Sequence, residues 1–379
     1  MTHATLHSEH NAMTPTLLVA LELGGTGWKF AAGTGGPKIT EGRVRAGDVD
    51  GLVRALTVAT GRHGLPAAAA LVTCYEAGRD GFWLHRALAR RGICNYVVDS
   101  ASIEVDRRAR RLKTDRVDAR KLLALLARYH TGDPRGWRVV RVPTLDEEDA
   151  RRPHRERERL IQERTGHVNR IKALLALHGV RLPVGQDFLA RLATVPLAEG
   201  LPLPPYVRAE LEREWHRYAL INTQLQALET QRRQRVQQEP SRAAQQVHQL
   251  TRLKGIGLTS ADLMVRELFA WRELRNRREA AALVGLTPTP YCSDGSRREL
   301  GVSKAGNRHV RRVLLQISWG WVRYQPHSAL TQWFHRRFGA GGPRYRRIGI
   351  VALARRLFIA LWRFVTDGVI PDGATLVAA

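Results

Sequence analysis

Cysteine, acidic residues and long apolar runs are all scarce in this chain of 379 residues. The three cysteines, Cys74, Cys94 and Cys292, include no CxxC pair, so the sequence excludes a disulfide framework and a zinc knuckle. No apolar run approaches the roughly 20 residues that a membrane span requires, and the first residues lack the basic and apolar regions of a signal peptide. We therefore expect a protein of a reducing cytoplasm with no membrane partner.

The shortage of acidic residues leaves a large excess of positive charge. Lysine and arginine number 61 against 35 aspartates and glutamates, which gives a formal net charge of +26 and a pI near 11.2. A surface of this charge repels itself unless a polyanion shares it, so we expect DNA, RNA or both as partner. Ribosomal and nucleoid proteins carry similar charge but are usually shorter, whereas 44% hydrophobic content over this length fits an enzyme of two or three domains.

The first two of three zones differ in their hydrophobic pattern. In residues 15–143, TLLVALEL, AAALVTCYEAG and GICNYVVDS are predicted strands and GFWLHRALARRG is a predicted amphipathic helix, which together indicate an α/β layer. Residues 145–249 are predicted as two long polar helices, separated by the proline-rich VPLAEGLPLPPY. A narrow apolar stripe on the second of them predicts an antiparallel coiled coil: Leu211, Trp215, Tyr218, Leu225 and Leu228.

The third zone, residues 250–372, is predicted to be mostly helical. It opens with LTRLKGIGLTSADLMVREL, a helix-hairpin-helix-like pattern whose turn can offer backbone N–H groups to a phosphate. The following segment, TPTPYCSDGSRRELGVSKAGN, is predicted as a loop between two helices, which is a natural place for chemistry. Trp319, Trp321 and Trp333 are predicted to pack in the core, and RRIGIVALARRLFIALWRFVTDG is predicted as a helix that covers it. The fold class is therefore α/β followed by α.

Four acidic residues stand where a phosphodiester-cutting site needs them. Glu22 ends the first strand, Glu76 follows another strand, and Asp115 and Asp118 lie three apart on one face of a predicted helix. Hard divalent cations prefer oxygen ligands that converge from separate elements, so the pattern predicts a Mg²⁺ site with Mn²⁺ as a substitute. Each acid alone is equally well explained as a surface or helix-terminal charge, and Asp99 is a spare candidate if Glu22 is structural.

The motifs YEAG, KTDRVDARKL and GLTPTPYCSDGSRRELGVSKAGNRHVRR, in this order, resemble those of the DEDD transposases of the insertion-sequence one-ten family, which are related to Piv-type DNA invertases. The resemblance implies an RNase H-like (RuvC-like) domain that carries the four acids, a coiled coil that joins subunits, and a C-terminal transposase domain with a nucleophilic serine at Ser293. Two positions depart from the family pattern. Glu22 stands where the family usually has aspartate, and Cys-Ser-Asp-Gly replaces Ser-Ser-Gly, which keeps Ser296 as an alternative nucleophile.

The same resemblance implies a reaction and its partners. DNA strands would be exchanged through a serine–DNA ester, and a non-coding bridge RNA would select target and donor DNA. The active form would be a homo-oligomer, a dimer or tetramer in the bacterial cytoplasm at the nucleoid, with the serine donated by a neighbouring subunit.

Basic and polar residues cluster near the serine, one acid pair and the GIG turn. They predict a phosphate track, although solubility explains any single one of them. Lys304 and Arg308 are four apart and are predicted to lie along one helical edge. The predicted nucleic-acid-binding residues are Lys113, Arg116, Lys254, Arg297, Arg298, Lys304, Asn307, Arg308, Arg311 and Arg312.

Three rival functions remain beside the transposase. The acids alone would also serve a metal-dependent hydrolytic nuclease of the Holliday-junction-resolvase type, and the charge alone would serve a non-enzymatic nucleic-acid-binding protein. The segment VALELGGTGWKF is similar to the phosphate turn of sugar kinases of the actin-like fold. A lone Gly-Gly-Thr-Gly is weak support, and a sugar kinase has no use for a net charge of +26.

Overall fold

The computed structural model describes residues 15–78, 81–103, 115–196, 200–293 and 296–377, with the backbone alone at 101, 115–118, 134, 290–293 and 296–300. It divides into two compact units, Met1–Pro143 and Thr144–Ala379. Each unit has hydrophobic cores of its own.

The first unit is built on a mixed five-stranded sheet with the order β3-β2-β1-β4-β5. The first three strands form an antiparallel meander, and the last two run parallel to β1. The strands are β1 (Thr16–Leu23), β2 (Gly27–Gly33), β3 (Thr40–Arg45), β4 (Ala70–Glu76) and β5 (Cys94–Val98). The helices are α1 (Val49–Arg62), α2 (Trp83–Ala89) and α3 (Asp115–His130).

Strand β1 is buried on both faces because helices cover the sheet on either side. Leu17, Val19 and Leu21 face the core that α1 and α2 complete through leucines of both helices. Leu18 and Ala20 face the opposite core, which α3 closes with Ala119, Leu122, Leu123 and Leu126. This double burial explains why TLLVALEL is a continuous apolar run rather than an alternating one.

The second unit is mostly helical. Its elements are α4 (Leu145–Asp149), α5 (Arg152–Leu177), α6 (Phe188–Thr194), α7 (Pro205–Gln238), α8 (Arg242–Thr251), α9 (Leu258–Met264), a π turn (Val265–Phe269), α10 (Arg277–Leu283), β6 (Pro288–Ser293), β7 (Ser296–Val302), α11 (Arg308–Tyr324), α12 (Ala329–Phe338) and α13 (Pro343–Asp367). Within the described ranges, none of the helices combines the length and apolar content that a membrane span requires.

Helices α5 and α7 pack against each other in antiparallel directions. Ion pairs join the C-terminal half of α5 to the first half of α7 (Arg170–Glu210, 2.7 Å) and the start of α5 to the last third of α7 (Arg157–Glu229, 2.5 Å). Leu160 of α5 packs with Ile221 and Leu225 of α7, and of these Leu225 belongs to the stripe predicted from the sequence. The antiparallel arrangement matches the expectation from the sequence.

The main core of the second unit is closed by α13. Leu357, Phe358 and Leu361 are fully buried among residues of α8, α9 and α11, and the Phe358 ring stacks on Phe269 with 5.4 Å between centroids. The covering helix predicted from the sequence is thereby confirmed. Trp321 is also buried as predicted, but Trp319 is 49% exposed because it points away from this core.

Candidate functional site

Two of the predicted acids lie side by side at one end of the sheet. The parallel register of β1 and β4 pairs Leu21 with Tyr75, so Glu22 and Glu76 come next at the carboxyl ends of adjacent strands. Strand alternation places both on the face of Ala20 and Cys74, which is the face that α3 covers. Glu22 is half-buried and Glu76 is exposed. This register agrees with the sequence prediction that the acids converge from separate elements, as far as Glu22 and Glu76 are concerned.

The glutamate pair has different neighbours on the two flanking strands, β2 and β5. Lys29 of β2 is the cross-strand partner of Glu22, which places a cation beside the carboxylate pair. On the other side, Val98 of β5 is the partner of Glu76. Asp99, the spare candidate, comes one residue after the end of β5, and its backbone amide donates to the Arg138 carbonyl at 2.9 Å.

The two aspartates are placed by their backbone alone. Helix α3 begins at Asp115, and from Ala119 onward it packs on the sheet face that carries Glu22. The side chains of Asp115, Asp118 and Arg116 lie outside the described part of the structure, as does the whole of Lys113. Among the side chains that are described, no three His, Cys, Asp or Glu residues converge on one point. The glutamate pair supplies oxygen donors of the kind that Mg²⁺ and Mn²⁺ take, and it needs further ligands to hold either ion.

The predicted nucleophile lies at the tip of a β-hairpin. Strands β6 and β7 pair in an antiparallel ladder that places Ser293 directly opposite Ser296, and we call Pro288–Val302 the serine hairpin. The sequence prediction of a loop here is wrong, because the segment is an extended two-stranded ribbon. Asp-Gly between the two serines is a strong signal for a two-residue hairpin turn, and this signal was present in the sequence.

The base of the serine hairpin is tied to the end of α10 by backbone hydrogen bonds. The amides of Ser303, Lys304 and Asn307 donate to the carbonyls of Thr287, Gly285 and Leu283, at 2.9, 3.1 and 2.7 Å. The Arg311 guanidinium donates to two carbonyls of the same region, Val284 (3.2 Å) and Lys304 (2.8 Å). The hairpin therefore projects from a base that is fixed on both strands.

The turn that follows the hairpin has little room for side chains. Lys304 adopts a positive φ of 55°, and Gly306 has a φ of 116°. A Cβ on Gly306 would overlap the Leu283 carbonyl, so only glycine fits here. Helix α11 begins at Arg308, and Lys304 lies before it in this turn. The prediction that Lys304 and Arg308 share one helical edge is therefore wrong.

The predicted binding residues of this region separate into structural and exposed ones. Asn307 caps α11, where its side chain accepts hydrogen bonds from the amides of His309 and Val310. Arg311 is engaged in holding the turn, and Arg312 pairs with Glu158 at 2.6 Å. Arg312 is nevertheless exposed, and Lys254, Lys304 and Arg308 are exposed as well. Arg297 and Arg298 lie on β7, opposite Cys292 and Tyr291 in register, and their side chains are outside the described part.

A buried carboxylate that the sequence did not reveal supports this turn. Glu267 has no exposed surface and lies in the π turn, a rare helical geometry that is frequent at functional sites. It accepts hydrogen bonds from His154 (2.6 Å), from Arg155 (2.7 and 3.0 Å) and from the Asn307 amide (2.7 Å). We call these four residues the Glu267 cluster. It joins the start of α5 to the residue that caps α11.

The charge state of Glu267 follows from its partners. Burial alone would raise the pKa of this carboxyl, but the hydrogen bonds and charges of His154 and Arg155 hold the pKa well below its ordinary value. The same interactions raise the pKa of Arg155. Glu267 is therefore an anion whose charge is neutralised by neighbours from a distant part of the chain.

A second buried network fixes α7 against α9. Asp262 is 1% exposed and lies within 3.4 Å of three arginines, of which Arg232 and Arg235 belong to α7 and Arg266 to the π turn. Arg266 also pairs with Glu239 at 2.5 Å, just after the end of α7. Burying one carboxylate among several guanidiniums satisfies its charge, so this network holds the long helix on the C-terminal core.

Comparison with known proteins shows which family this chain matches. Residues 247–332, which include the serine hairpin, match the family model described as Transposase IS116/IS110/IS902 family. The chain is 40% identical over 379 residues to y4rJ, a protein of Sinorhizobium fredii that is named as a transposase. The alignment covers 95% of this chain and 94% of that protein. It is 27% identical over 262 residues to the transposase for insertion sequence element IS1328 of Yersinia enterocolitica, covering 68% of this chain and 73% of that one. A third similar protein is the transposase for insertion sequence element IS1111A of Coxiella burnetii, with 24% identity over 204 residues and coverage of 54% and 53%.

Proposed function

We propose that this chain, which belongs to the IS116/IS110/IS902 family of transposases, exchanges DNA strands through a covalent bond between Ser293 and DNA. Membership rests on the 40% identity that extends over nearly the whole chain, and it makes the protein a DNA transposase. The main support for the proposal is the position of Ser293. It lies at the tip of a hairpin whose base is held by backbone hydrogen bonds, inside the segment that matches the family model.

The sheet topology supports an RNase H-like, RuvC-like assignment for the first unit. An antiparallel three-stranded meander followed by two strands parallel to the first, in the order β3-β2-β1-β4-β5, is what that fold requires. In the second unit, the packing of the antiparallel helices α5 and α7 within one chain supports a coiled coil. By the family resemblance, this coiled coil would also join subunits in a homo-oligomer, a dimer or tetramer.

The carboxylate end of the sheet supports a divalent metal site. Glu22 and Glu76 would hold the ion together with Asp115 and Asp118 from the start of α3, where the chain places two acids one helical turn apart. When bound, Mg²⁺ or Mn²⁺ supplies positive charge that stabilises phosphate oxygens during displacement. The longer side chain of Glu22, where the family usually has aspartate, moves its carboxylate one methylene further from the strand.

The serine step conserves the energy of the phosphodiester bond. The Ser293 oxygen forms a bond to phosphorus as one bond between phosphorus and a deoxyribose oxygen breaks. The serine gives up its proton, and the released sugar oxygen takes one. A hydroxyl of a new DNA strand then displaces the serine by the reverse steps, so the number of phosphate ester bonds never falls and no nucleotide triphosphate is consumed.

Sequence selection is assigned to a bridge RNA. The chain has a net charge of +26, enough to hold two nucleic acids through their phosphates, which give affinity rather than sequence recognition. Base pairing between the RNA and DNA would then supply recognition of target and donor. The reaction takes place on the bacterial chromosome, so the protein is expected in the cytoplasm at the nucleoid.

A denaturing gel tests the serine assignment. The purified protein is incubated with Mg²⁺, RNA transcribed from the flank of the element and labelled DNA that spans its junction. We expect a covalent protein–DNA adduct that is lost in Ser293→Ala and in Asp115→Ala but retained in Ser296→Ala, the matched control on the opposite strand of the hairpin. An adduct that survives Ser293→Ala and disappears in Ser296→Ala would move the nucleophile to the opposite strand.

The glutamate pair also favours a second function, DNA hydrolysis, and the same gel distinguishes it from strand exchange through a serine adduct. Carboxylates at a strand end would serve a hydrolytic nuclease equally well. Free cut ends that persist in Ser293→Ala, with no adduct in the unmodified protein, would support that reading. A protein that binds DNA but neither cuts it nor forms an adduct would be a non-enzymatic nucleic-acid-binding protein.

A further inference from the structure

The last helices of the chain lie in a segment that contains no acid. Between residues 300 and 366 there is no aspartate or glutamate, whereas there are twelve arginines and one lysine. Arginines of this segment therefore find no carboxylate within it, and those that pair with acids must reach other elements, as Arg312 does with Glu158. The excess of charge is concentrated here rather than spread evenly over the chain.

The corner between α12 and α13 brings several of these arginines together. Phe338, the last residue of α12, packs edge-on or tilted against Trp333 and Tyr345, with 5.6 and 5.0 Å between ring centroids. The Arg337 guanidinium lies 5.9 Å from the centre of the Phe338 ring. Arg346, in the first turn of α13, donates two hydrogen bonds to the Gly339 carbonyl, at 2.9 and 3.3 Å. The end of one helix and the start of the other are therefore held in one place.

Four exposed guanidinium groups, that of Arg337 among them, surround this junction, and we call them the basic corner. Two lie in the last turn of α12 and two in the first turn of α13, where their spacing of three puts them on one edge of the helix. They are Arg336, Arg337, Arg344 and Arg347, all exposed. None of the four forms an ion pair with a residue that the structure describes.

We propose that the basic corner binds the phosphate backbone of duplex DNA. Guanidinium groups bind phosphate oxygens through paired hydrogen bonds, and here they project from two packed helices rather than from a loose tail. Tyr345, an exposed aromatic residue of this junction, packs on Phe338 and is 45% exposed, so it offers no free two-sided platform for unpaired bases. The corner suits a regular backbone better than a splayed single strand.

This inference rests on the proposed function only in taking DNA as the substrate. The basic corner lies about 40 to 55 residues beyond Ser293 in sequence and shares no residue with the serine hairpin or the carboxylates. The basic corner would add a contact to the phosphate backbone of DNA. Such a contact does not read the base sequence, so the choice of target would be unchanged. Loss of the corner should therefore weaken DNA binding without altering the chemistry at Ser293.

The test measures duplex DNA binding by fluorescence anisotropy at several salt concentrations. The test variant replaces all four corner arginines with glutamine, which retains the helix propensity. A matched control variant removes the same charge on the sheet face opposite to Glu22 and Glu76: Arg54 and Arg62 of α1, and Arg90 and Arg91 just after α2, are each also changed to glutamine. Both variants lower the net charge by the same amount, and the control also removes the ion pairs of Arg54 with Asp48 (4.0 Å) and of Arg91 with Asp50 (2.6 Å).

We expect the corner variant to lose at least tenfold in affinity, and the slope of log affinity against log salt to fall by about two to four, because each lost phosphate contact contributes about 0.9. The control variant should stay within about threefold of the unmodified protein. Equal losses in the two variants would overturn the proposal, as would a larger loss for duplex RNA or single-stranded DNA of the same sequence than for duplex DNA.

Two further variants distinguish the outcome of this DNA-binding test from a failure of the serine assignment and from a failure to fold. Ser293→Ala should bind duplex DNA as tightly as the unmodified protein, so failure of the serine assignment and failure of the basic corner give different patterns. If the fourfold variant does not fold, the double variant Arg344→Gln with Arg347→Gln, which leaves the α12 side of the aromatic packing untouched, should still lower the salt slope by about one to two. An unchanged slope in that variant overturns the proposal.

Discussion

Glu267 is a single carboxylate on which three separate segments depend. Its oxygens accept hydrogen bonds from His154 and Arg155 at the start of α5 and from Asn307 before α11, and water has no access to it. An ion buried in this way is costly unless every partner is in place. The residue therefore links the first helices of the second unit to the base of the serine hairpin.

Replacing Glu267 with glutamine should destabilise the second unit strongly. The change leaves Arg155 without its anion and sets an amide NH2 against the side-chain amide donor of Asn307, and losing hydrogen bonds to a charged group costs about 1.5 to 3 kcal/mol. Urea unfolding measures the loss. The control is Glu163→Gln, whose exposed pair with Arg159 at 3.3 Å should contribute less than about 1 kcal/mol. Equal losses for the two variants would show that the Glu267 cluster is not a stabilising centre.

The two kinds of acid differ in how far sequence could identify them. Glu22 and Glu76 end strongly apolar strands, so a reading of strand ends placed them at one sheet edge. Glu267 sits in a helical segment, and its histidine partner is 113 residues away in the chain. No local pattern marks such a pairing, because it is created only when α5 packs on the π turn.

At the scale of elements, the serine hairpin depends on the turn that follows it. Asn307, Lys304 and Ser303 return the chain to the end of α10 through backbone hydrogen bonds, and the close approach leaves no space for a Cβ at Gly306. Gly301, at the end of β7, also has a positive φ of 86°, but nothing lies within 4 Å of a Cβ built there.

These two glycines give a matched pair for a second prediction. Gly301→Ala should cost about 1 to 2 kcal/mol from backbone strain alone. Gly306→Ala adds a clash with the Leu283 carbonyl, so it should cost clearly more and abolish adduct formation as the base of the hairpin shifts. Thermal unfolding and the adduct gel measure the two effects. A Gly306→Ala protein as stable and active as Gly301→Ala would mean that the turn adapts.

The α5 and α7 pair should weaken in acid. Burial would raise the pKa of Glu214 and of Glu229, but hydrogen bonds from His167 and from Arg157 outweigh it, and both pKa values are lowered from 4.5. Carboxyls with a lowered folded-state pKa stabilise the fold above their unfolded value, and this contribution is lost as the pH falls through the folded value. We therefore expect stability to drop as the pH is lowered below about 4.5.

Thermal unfolding followed by circular dichroism between pH 6 and pH 3 measures this loss. The double variant Glu214→Gln with Glu229→Gln should be less stable at pH 6 and should show a shallower decline below pH 4.5. A variant whose decline is as steep as that of the unmodified protein would assign the acid sensitivity to other carboxyls, such as Glu239, whose pKa Arg266 also lowers.

Strongly apolar elements were predicted well, and the polar or proline-rich ones were not. The strands of TLLVALEL, AAALVTCYEAG and GICNYVVDS are confirmed as β1, β4 and β5, and the mixed α/β character is confirmed with them. Strand β3 was missed because TEGRVR is an edge strand with four polar residues out of six and no buried residue. The serine hairpin was missed because its prolines and glycines resemble those of a loop.

At the scale of the whole molecule, the net charge of +26 destabilises the compact state through self-repulsion. A polyanion that binds the folded protein should therefore stabilise it. We expect a duplex of unrelated sequence, added at low salt to about 100 times its Kd, to raise stability by about 2.7 kcal/mol. Differential scanning fluorimetry measures the rise in Tm, and 1 M salt should abolish it. A Tm that DNA leaves unchanged at low salt would contradict the assignment of the charge to nucleic acid.

Helix α13 has a consequence for how the protein is made. Its residues Leu357, Phe358 and Leu361 complete a core whose first members, near Val236, leave the ribosome more than a hundred residues earlier. The cores of the first unit are complete by Val142, so that unit can fold while the second is still being synthesised. A message that stops before α13 would release a folded carboxylate unit joined to a serine unit without a closed core. Translation of the last helix is thus the step that closes the core beneath the serine hairpin, and until then only the first unit of the nascent chain has complete cores.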